Sequence, residues 1–190
     1  MKPIKIAYSL IGSFFVIERL FRKGEAARSL EEGHADRGST RAIGVAFGIA
    51  LLALLIAPLL NRLKFGRMQS KTLSWSGICA MVVGLMLRIW ALRMLGTFYT
   101  RTLKTSTEQR LIEDGPYRVV RNPGYLADLL LWLGAGFASA NWIVLATIAF
   151  PMVRAYQNRI KAEEAMLAEA FPQDYDRYAS RTWRLIPFLY

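Results

Sequence analysis

Apolar residues in this chain come in long blocks separated by polar, charge-rich stretches. Three of the blocks cover 4–21, 42–60 and 73–95, each close to the ~20 residues a helix needs to cross a bilayer. A fourth, 125–156, is too long for one span. Its middle, Ala138-Ser139-Ala140-Asn141-Trp142, is small and polar enough to turn. The pattern therefore predicts a tight helical hairpin with arms of about 16 residues, the second continuing past the membrane as an amphipathic helix to Phe171. The fold class that follows is all-α: an integral membrane helical bundle of about five transmembrane helices, with a tight hairpin between the fourth and fifth and a cytoplasmic C-terminal helix. It forms one membrane domain over 1–190, with three spans in 1–95 and the hairpin, C-terminal helix and tail in 96–190. The first block follows Lys2 and Lys5 as a signal peptide would. No small-residue cleavage site follows it, and Glu18-Arg19 interrupts its end, so it reads as a retained anchor.

Composition narrows the class. Hydrophobic residues make up 54% of the chain and the formal net charge is +11. In a soluble domain that charge would suggest nucleic acid, but here the cations flank apolar blocks, which fits anionic lipid headgroups instead. One cysteine, Cys79, inside an apolar run, allows neither an internal disulfide nor a thiolate metal site. The single histidine, His34, lies in a polar loop, and no metal is expected. Lys and Arg concentrate in 22–41, in 93–121 and beyond 154. That bias places the N-terminus outside and the C-terminus in the cytoplasm, although the second loop, with Arg62, Lys64, Arg67 and Lys71, runs against it.

In this topology the 96–122 loop and the C-terminal region share one face, so Gly115-Pro116-Tyr117 and Arg121-Asn122-Pro123-Gly124-Tyr125 meet Glu163-Glu164 across the base of the hairpin. Asn122-Pro123 reads as a helix start, with Asn as N-cap and Pro at the first helical position. The free N–H groups there, with Arg121 beside them, suit a carboxylate or phosphate; a capped helix with a lipid-facing arginine is the alternative. Asp128 lies within an apolar helix on the face shared by Tyr125 and Trp132. At that depth it needs a partner, and Arg88 in the third block is the natural one, in either a structural or a functional pair. Ile160, Leu167 and Phe171 form an apolar stripe that has Glu164 near its centre, so Glu164 needs an arginine, a hydroxyl or a cationic ligand. Glu163 lies towards the stripe's edge beside Arg159, where a solvated face remains open to it. Gly134-Ala135-Gly136 allows close approach of a helix or a ligand. Phe98, Tyr99, Tyr175, Tyr178 and Trp183 are interfacial anchors or stacking partners.

Taken in order, these residues resemble the isoprenylcysteine carboxyl methyltransferase and phospholipid methyltransferase families. The resemblance covers 87–187. It runs through Leu87-Arg88-Ile89-Trp90, Leu95-Gly96-Thr97-Phe98-Tyr99-Thr100, Gly115-Pro116-Tyr117 and Arg121-Asn122-Pro123-Gly124-Tyr125, then Arg159, Glu163-Glu164, Phe171, Tyr175, Tyr178, Arg181 and Pro187. Asp36-Arg37-Gly38-Ser39 is also similar to bacterial members. The resemblance implies S-adenosyl-L-methionine bound at the cytoplasmic end of the hairpin and a lipophilic methyl acceptor arriving from the membrane, which for a bacterial-type member is the inner membrane. It implies cofactor contacts at Tyr117, Arg121, Asn122, Pro123, Tyr125, Gly134, Gly136, Glu163 and Glu164, with Arg88, Asp128 and Glu164 as the catalytic group. Two positions depart from the family: Asn122 stands where histidine is usual, and Ala127 where glycine is usual. Asparagine donates a hydrogen bond but does not titrate, so a proton-transfer role at that position is lost. Tyr125-Leu126-Ala127-Asp128 is similar to the membrane NAD(P)H-dependent sterol reductases, which stand as the alternative enzyme class. A non-catalytic membrane protein with a decayed site is the alternative outside enzymes.

Overall fold

The computed structural model describes residues 2–21, 38–96 and 111–189. His34, Asp36-Arg37 and Thr97-Phe98-Tyr99-Thr100, singled out above, lie outside the described residues. Among those described, the chain forms six α-helices and no strand: α1 (Pro3–Phe21), α2 (Ser39–Arg62), α3 (Lys71–Leu95), α4 (Pro123–Ala138), α5 (Trp142–Ala170) and α6 (Pro172–Arg181). A 3-10 turn, Gly115–Arg118, precedes α4.

Local chemistry sets the boundaries. Ser70 caps α3, its Oγ accepting from Leu73 N–H at 3.2 Å. Asn141 caps α5, its Oδ1 accepting from the N–H groups of Ile143 and Val144 at 3.0 and 3.2 Å. The long apolar stretch does break between Ala138 and Trp142, where Ala140 adopts φ 56°. The 16 residues of α4 rise about 24 Å and the 29 residues of α5 about 43 Å, so α5 outruns its partner and carries Glu163 and Glu164 beyond the start of α4.

α2 and α3 are long and apolar enough to cross a membrane. Val45, Leu52, Leu55 and Leu59 on α2 are 55–71% exposed, a stripe that only lipid or a partner would cover. The chain is a membrane protein. Its core holds Trp132, Met81, Leu131, Ile148, Met152 and Tyr156, all fully buried.

α3 and α4 approach to backbone contact. A Cβ on Gly134 would lie 2.6 Å from the Gly77 carbonyl oxygen, and one on Gly84 would lie 2.7 Å from that of Ala127. Small residues at these crossings let the two helices pack without a gap, which is the main source of helix association where lipid surrounds them. Gly134→Leu is accordingly expected to destabilise the bundle by about 1–3 kcal/mol or more, read as an earlier thermal transition in detergent. An unchanged transition would show that α3 and α4 do not pack this way.

Candidate functional site

The C-terminal ends of α1 and α3, the N-terminal ends of α2 and α4, and the distal half of α5 converge on one end of the bundle. They enclose a cavity of about 220 Å3. Its wall is polar on the α4–α5 side and apolar where Phe14, Phe15, Ile43, Phe47 and Leu92 face it.

Three linked layers of polar side chains line it. In the outermost, Glu164 is held by two arginines: Arg121 Nε lies 3.2 Å from its Oε1 and Arg184 Nη2 lies 2.6 Å from its Oε2. Arg121 also donates through Nη1 to the carbonyls of Ala179, at 3.1 Å, and Thr182. Asn122 donates through Nδ2 to the Arg184 carbonyl at 2.9 Å and reaches Glu164 Oε1 at 3.4 Å. The tail runs beside this layer, with Arg121 N–H bonded to the Trp183 carbonyl at 2.8 Å and Trp183 N–H to the Val119 carbonyl at 3.0 Å.

In the middle layer the Tyr125 hydroxyl donates to Glu163 Oε2 and accepts from Arg159 Nε at 3.1 Å. Arg159 Nη1 reaches Ser39 Oγ and Thr40 Oγ1, both at 3.1 Å, which ties α5 to the start of α2. In the deepest layer Tyr156 donates to Asp128 Oδ2 at 2.8 Å, while Arg88 Nε lies 2.7 Å from Glu18 Oε1 and 3.5 Å from Asp128 Oδ1. Gly124 makes room for that arginine: a Cβ there would lie 2.8 Å from Arg88 Nη1. Burying an arginine between two carboxylates offsets the desolvation of all three. Asp128 Oδ1 nevertheless accepts no hydrogen bond, although it is buried at the cavity wall.

α6 covers one side of this site. Its buried residues are Tyr175 and Tyr178, three apart, and the Tyr178 hydroxyl donates to the Tyr117 carbonyl at 2.8 Å. Burial raises the pKa of both phenols, Tyr175 further beside Glu164, which keeps both protonated.

Of the residues named from sequence, Arg88, Tyr117, Arg121, Asn122, Pro123, Tyr125, Asp128, Glu163 and Glu164 all line the cavity. Gly134 and Gly136 do not. Gly134 packs against Gly77 and Met81, and Gly136 against Leu145, so both serve helix contacts. Asn122 precedes α4 as anticipated, but its side chain makes no capping bond, because its amide is turned to Arg184 and Glu164. Arg121 is turned towards the carboxylate and the tail. Glu163 is not on a solvated face.

Sequence reading missed Glu18 and Tyr156 and understated Arg159 and Arg184. For Glu18 a signal existed: Ala7, Ile11, Phe14 and Glu18 are the buried residues of α1, at spacings of four, three and four. That is the pattern that singled out Glu164 on α5. Arg184 carried no such signal, because it acts from an irregular tail.

The phospholipid methyltransferase family model matches residues 72–174, and the chain belongs to that family. It is 31% identical over 120 residues to a probable protein-S-isoprenylcysteine O-methyltransferase of Oryza sativa subsp. indica, covering 61% of this chain and 62% of that protein. To protein-S-isoprenylcysteine O-methyltransferase B of Arabidopsis thaliana it is 29% identical over 126 residues, covering 65% of this chain and 64% of the relative. The cobalt-zinc-cadmium resistance protein CzcN of Cupriavidus metallidurans is 33% identical over 118 residues, covering 62% of this chain and 49% of the relative. The chain thus spans less than two thirds of the length of these relatives. Among solved structures, a eukaryotic intramembrane Ras methyltransferase (isoprenylcysteine carboxyl methyltransferase) shares its fold, with a TM-score of 0.69 at 22% identity. That match covers all of this chain and 68% of the other. The family match begins at the start of α3, so Phe14, Phe15, Glu18 and Phe47 form a cavity wall outside it.

Proposed function

We propose that the chain is an S-adenosylmethionine-dependent methyltransferase acting on a lipophilic acceptor at the cytoplasmic face of a membrane. The observation that carries this reading is the junction of α4 and α5 with the tail. There, two adjacent glutamates, Arg121 and five tyrosines face a cavity whose opposite wall is aromatic and aliphatic. The residues fit the donor's chemistry. Glu163 and Glu164 suit ribose hydroxyls and an ammonium group, Arg121 suits a carboxylate, and Tyr125, Tyr175 and Tyr178 suit a purine or a cation. Asp128, ion-paired with Arg88 at 3.5 Å, gives the cavity a polar floor. When bound, S-adenosylmethionine supplies an electrophilic methyl group.

The chain's own contribution is arrangement. A carboxylate or thiolate acceptor needs little proton transfer, which suits a site with Asn122 in place of a titratable histidine. Holding reactants in line and excluding water accounts for most of the acceleration in such a site. Arg121 and Arg184 fix Glu164, Arg159 fixes Tyr125, which in turn holds Glu163, and Tyr156 with Arg88 fixes Asp128. Phe14, Phe15 and Phe47 would take the acceptor's hydrocarbon. A prenylcysteine-like carboxylate is the acceptor class closest to the relatives' names; a phospholipid amine and a small hydrophobic acid fit the same wall.

In this reading the whole chain is one membrane domain of about five spans in a bacterial inner membrane, with its C-terminus cytoplasmic. The test is transfer of labelled methyl groups from S-adenosylmethionine into a total lipid and protein extract. The expected product is a lipophilic species whose label is released by mild base if the bond is a methyl ester. Binding of NADPH to the purified protein, with no binding of S-adenosylhomocysteine, would overturn the assignment.

A further inference from the structure

The end of the bundle away from the cavity has its own construction. The turn between α2 and α3 and the turn between α4 and α5 are clasped together there. Met68 N–H bonds to the Ala140 carbonyl at 2.8 Å and Trp142 N–H to the Gly66 carbonyl at 3.0 Å. Asn141, fully buried, donates to Asn61 Oδ1 at 2.9 Å and to the Phe65 carbonyl at 2.8 Å, and Asn61 donates to the Ser139 carbonyl at 2.7 Å. Gly66, at φ +70°, closes the turn, and Ile143 and Asn141 leave no space for a side chain there.

This clasp forms the floor of an open depression of about 1310 Å3 lined by Lys2, Arg62, Arg67 and Lys71. No acidic residue lines it. None of the four cations is ion-paired to a carboxylate among the described residues. Four cations lining one depression, with no acid among them, give it a positive potential that favours an anion. The surroundings indicate which anion. Trp75 is on the rim and 46% exposed, as an indole at a membrane interface is. Leu59 and Leu55, 55% and 71% exposed, continue down α2 from Arg62 at helical spacing, which is a track for an acyl chain.

We propose that this basin binds the phosphodiester headgroup of an anionic phospholipid, with an acyl chain along Leu59 and Leu55. The site is separate from the methyl-transfer cavity and does not depend on that assignment. It also accounts for the cations of the second loop, which run against the charge bias that orients the rest of the chain. In the proposed orientation the lipid belongs to the outer leaflet.

Native mass spectrometry of the full chain in detergent, titrated with phosphatidylglycerol or phosphatidylcholine, tests the proposal. The parent is expected to retain phosphatidylglycerol in preference to phosphatidylcholine. Arg62→Gln/Arg67→Gln/Lys71→Gln is expected to lower that retention by about 100-fold, and the single variants Arg62→Gln and Lys71→Gln by smaller, graded amounts. Arg62→Lys/Arg67→Lys should keep most of it. Should the triple variant fail to fold, the two single variants decide: undiminished retention in both overturns the proposal, as does equal retention of the two lipids by the parent. Displacement of phosphatidylglycerol by millimolar inorganic phosphate would overturn the lipid as the ligand. S-adenosylhomocysteine binding should be the same in parent and variants, so failure here is distinguishable from failure at the other end of the bundle.

Discussion

Glu164→Gln is expected to weaken S-adenosylhomocysteine binding by about 100-fold, the largest effect of any single isosteric change in the site. The reason lies in the two arginines. Glu164 presents Oε1 to Arg121 and Oε2 to Arg184, at 3.2 and 2.6 Å, and is 8% exposed. A glutamine keeps one acceptor oxygen and turns an NH2 towards the other arginine, setting donor against donor and leaving two partly buried arginines without their shared counter-charge. Arg121→Ala should weaken binding comparably and also loosen the tail, because the Ala179 and Thr182 carbonyls lose their donor. Calorimetry in detergent reads the first effect. Limited proteolysis reads the second: residues 172–189 should be cleaved faster in Arg121→Ala than in the parent, with Glu163→Gln unchanged. Binding as tight as the parent's in both variants would remove Glu164 and Arg121 from the cofactor site.

Arg88→Met is expected to be the most damaging change for the fold. Arg88 is 8% exposed, and Glu18 and Asp128, at 5% and 4%, both lean on its guanidinium. Without it two carboxylates remain close together in a low-dielectric interior, a situation that costs about 3–5 kcal/mol when one partner of a buried pair is removed. The protein should melt much earlier and lose methyl transfer. A second change separates charge from packing: Glu18→Gln/Arg88→Met removes one of the stranded carboxylates and should recover part of the stability without recovering activity. A double variant no more stable than Arg88→Met alone would show that the loss comes from the arginine's packing against Gly124 and not from its charge. Because Glu18 lies outside the family-matched residues, Glu18→Gln alone tests whether the first helix selects the acceptor. It should alter the relative use of acceptors more than it alters donor binding.

Several of these features were legible in the sequence because they are local. Block length separates membrane helices from soluble ones, the small polar run at Ala138–Trp142 was able to turn inside a block too long for one span, and the helical period put Glu164 on a buried stripe. Asp128 was conspicuous because an acid in an apolar helix demands a partner, and Arg88 was the cation at matching depth. Glu18 obeyed the same rule but was read as the end of an anchor. Gly134 and Gly136 left a helix or a ligand open, because a glycine pair is written identically in both cases; in the fold Gly134 faces the Gly77 carbonyl of α3 and Gly136 faces Leu145 of α5.

By itself the sequence determined the long apolar helices, the hairpin and several of the polar residues that had to find partners, but not the short polar helix α6, since periodicity, capping and burial cost act within a few turns of chain. Only the tertiary structure decided who those partners are. Arg121 turns to Glu164 and the tail instead of outward, Asn122 gives up its capping bond for the Arg184 carbonyl, and Arg159 joins α5 to α2. Each choice is a competition among donors and acceptors brought together from distant segments. Its outcome depends on distances of a few tenths of an ångström, which packing sets and no local pattern encodes.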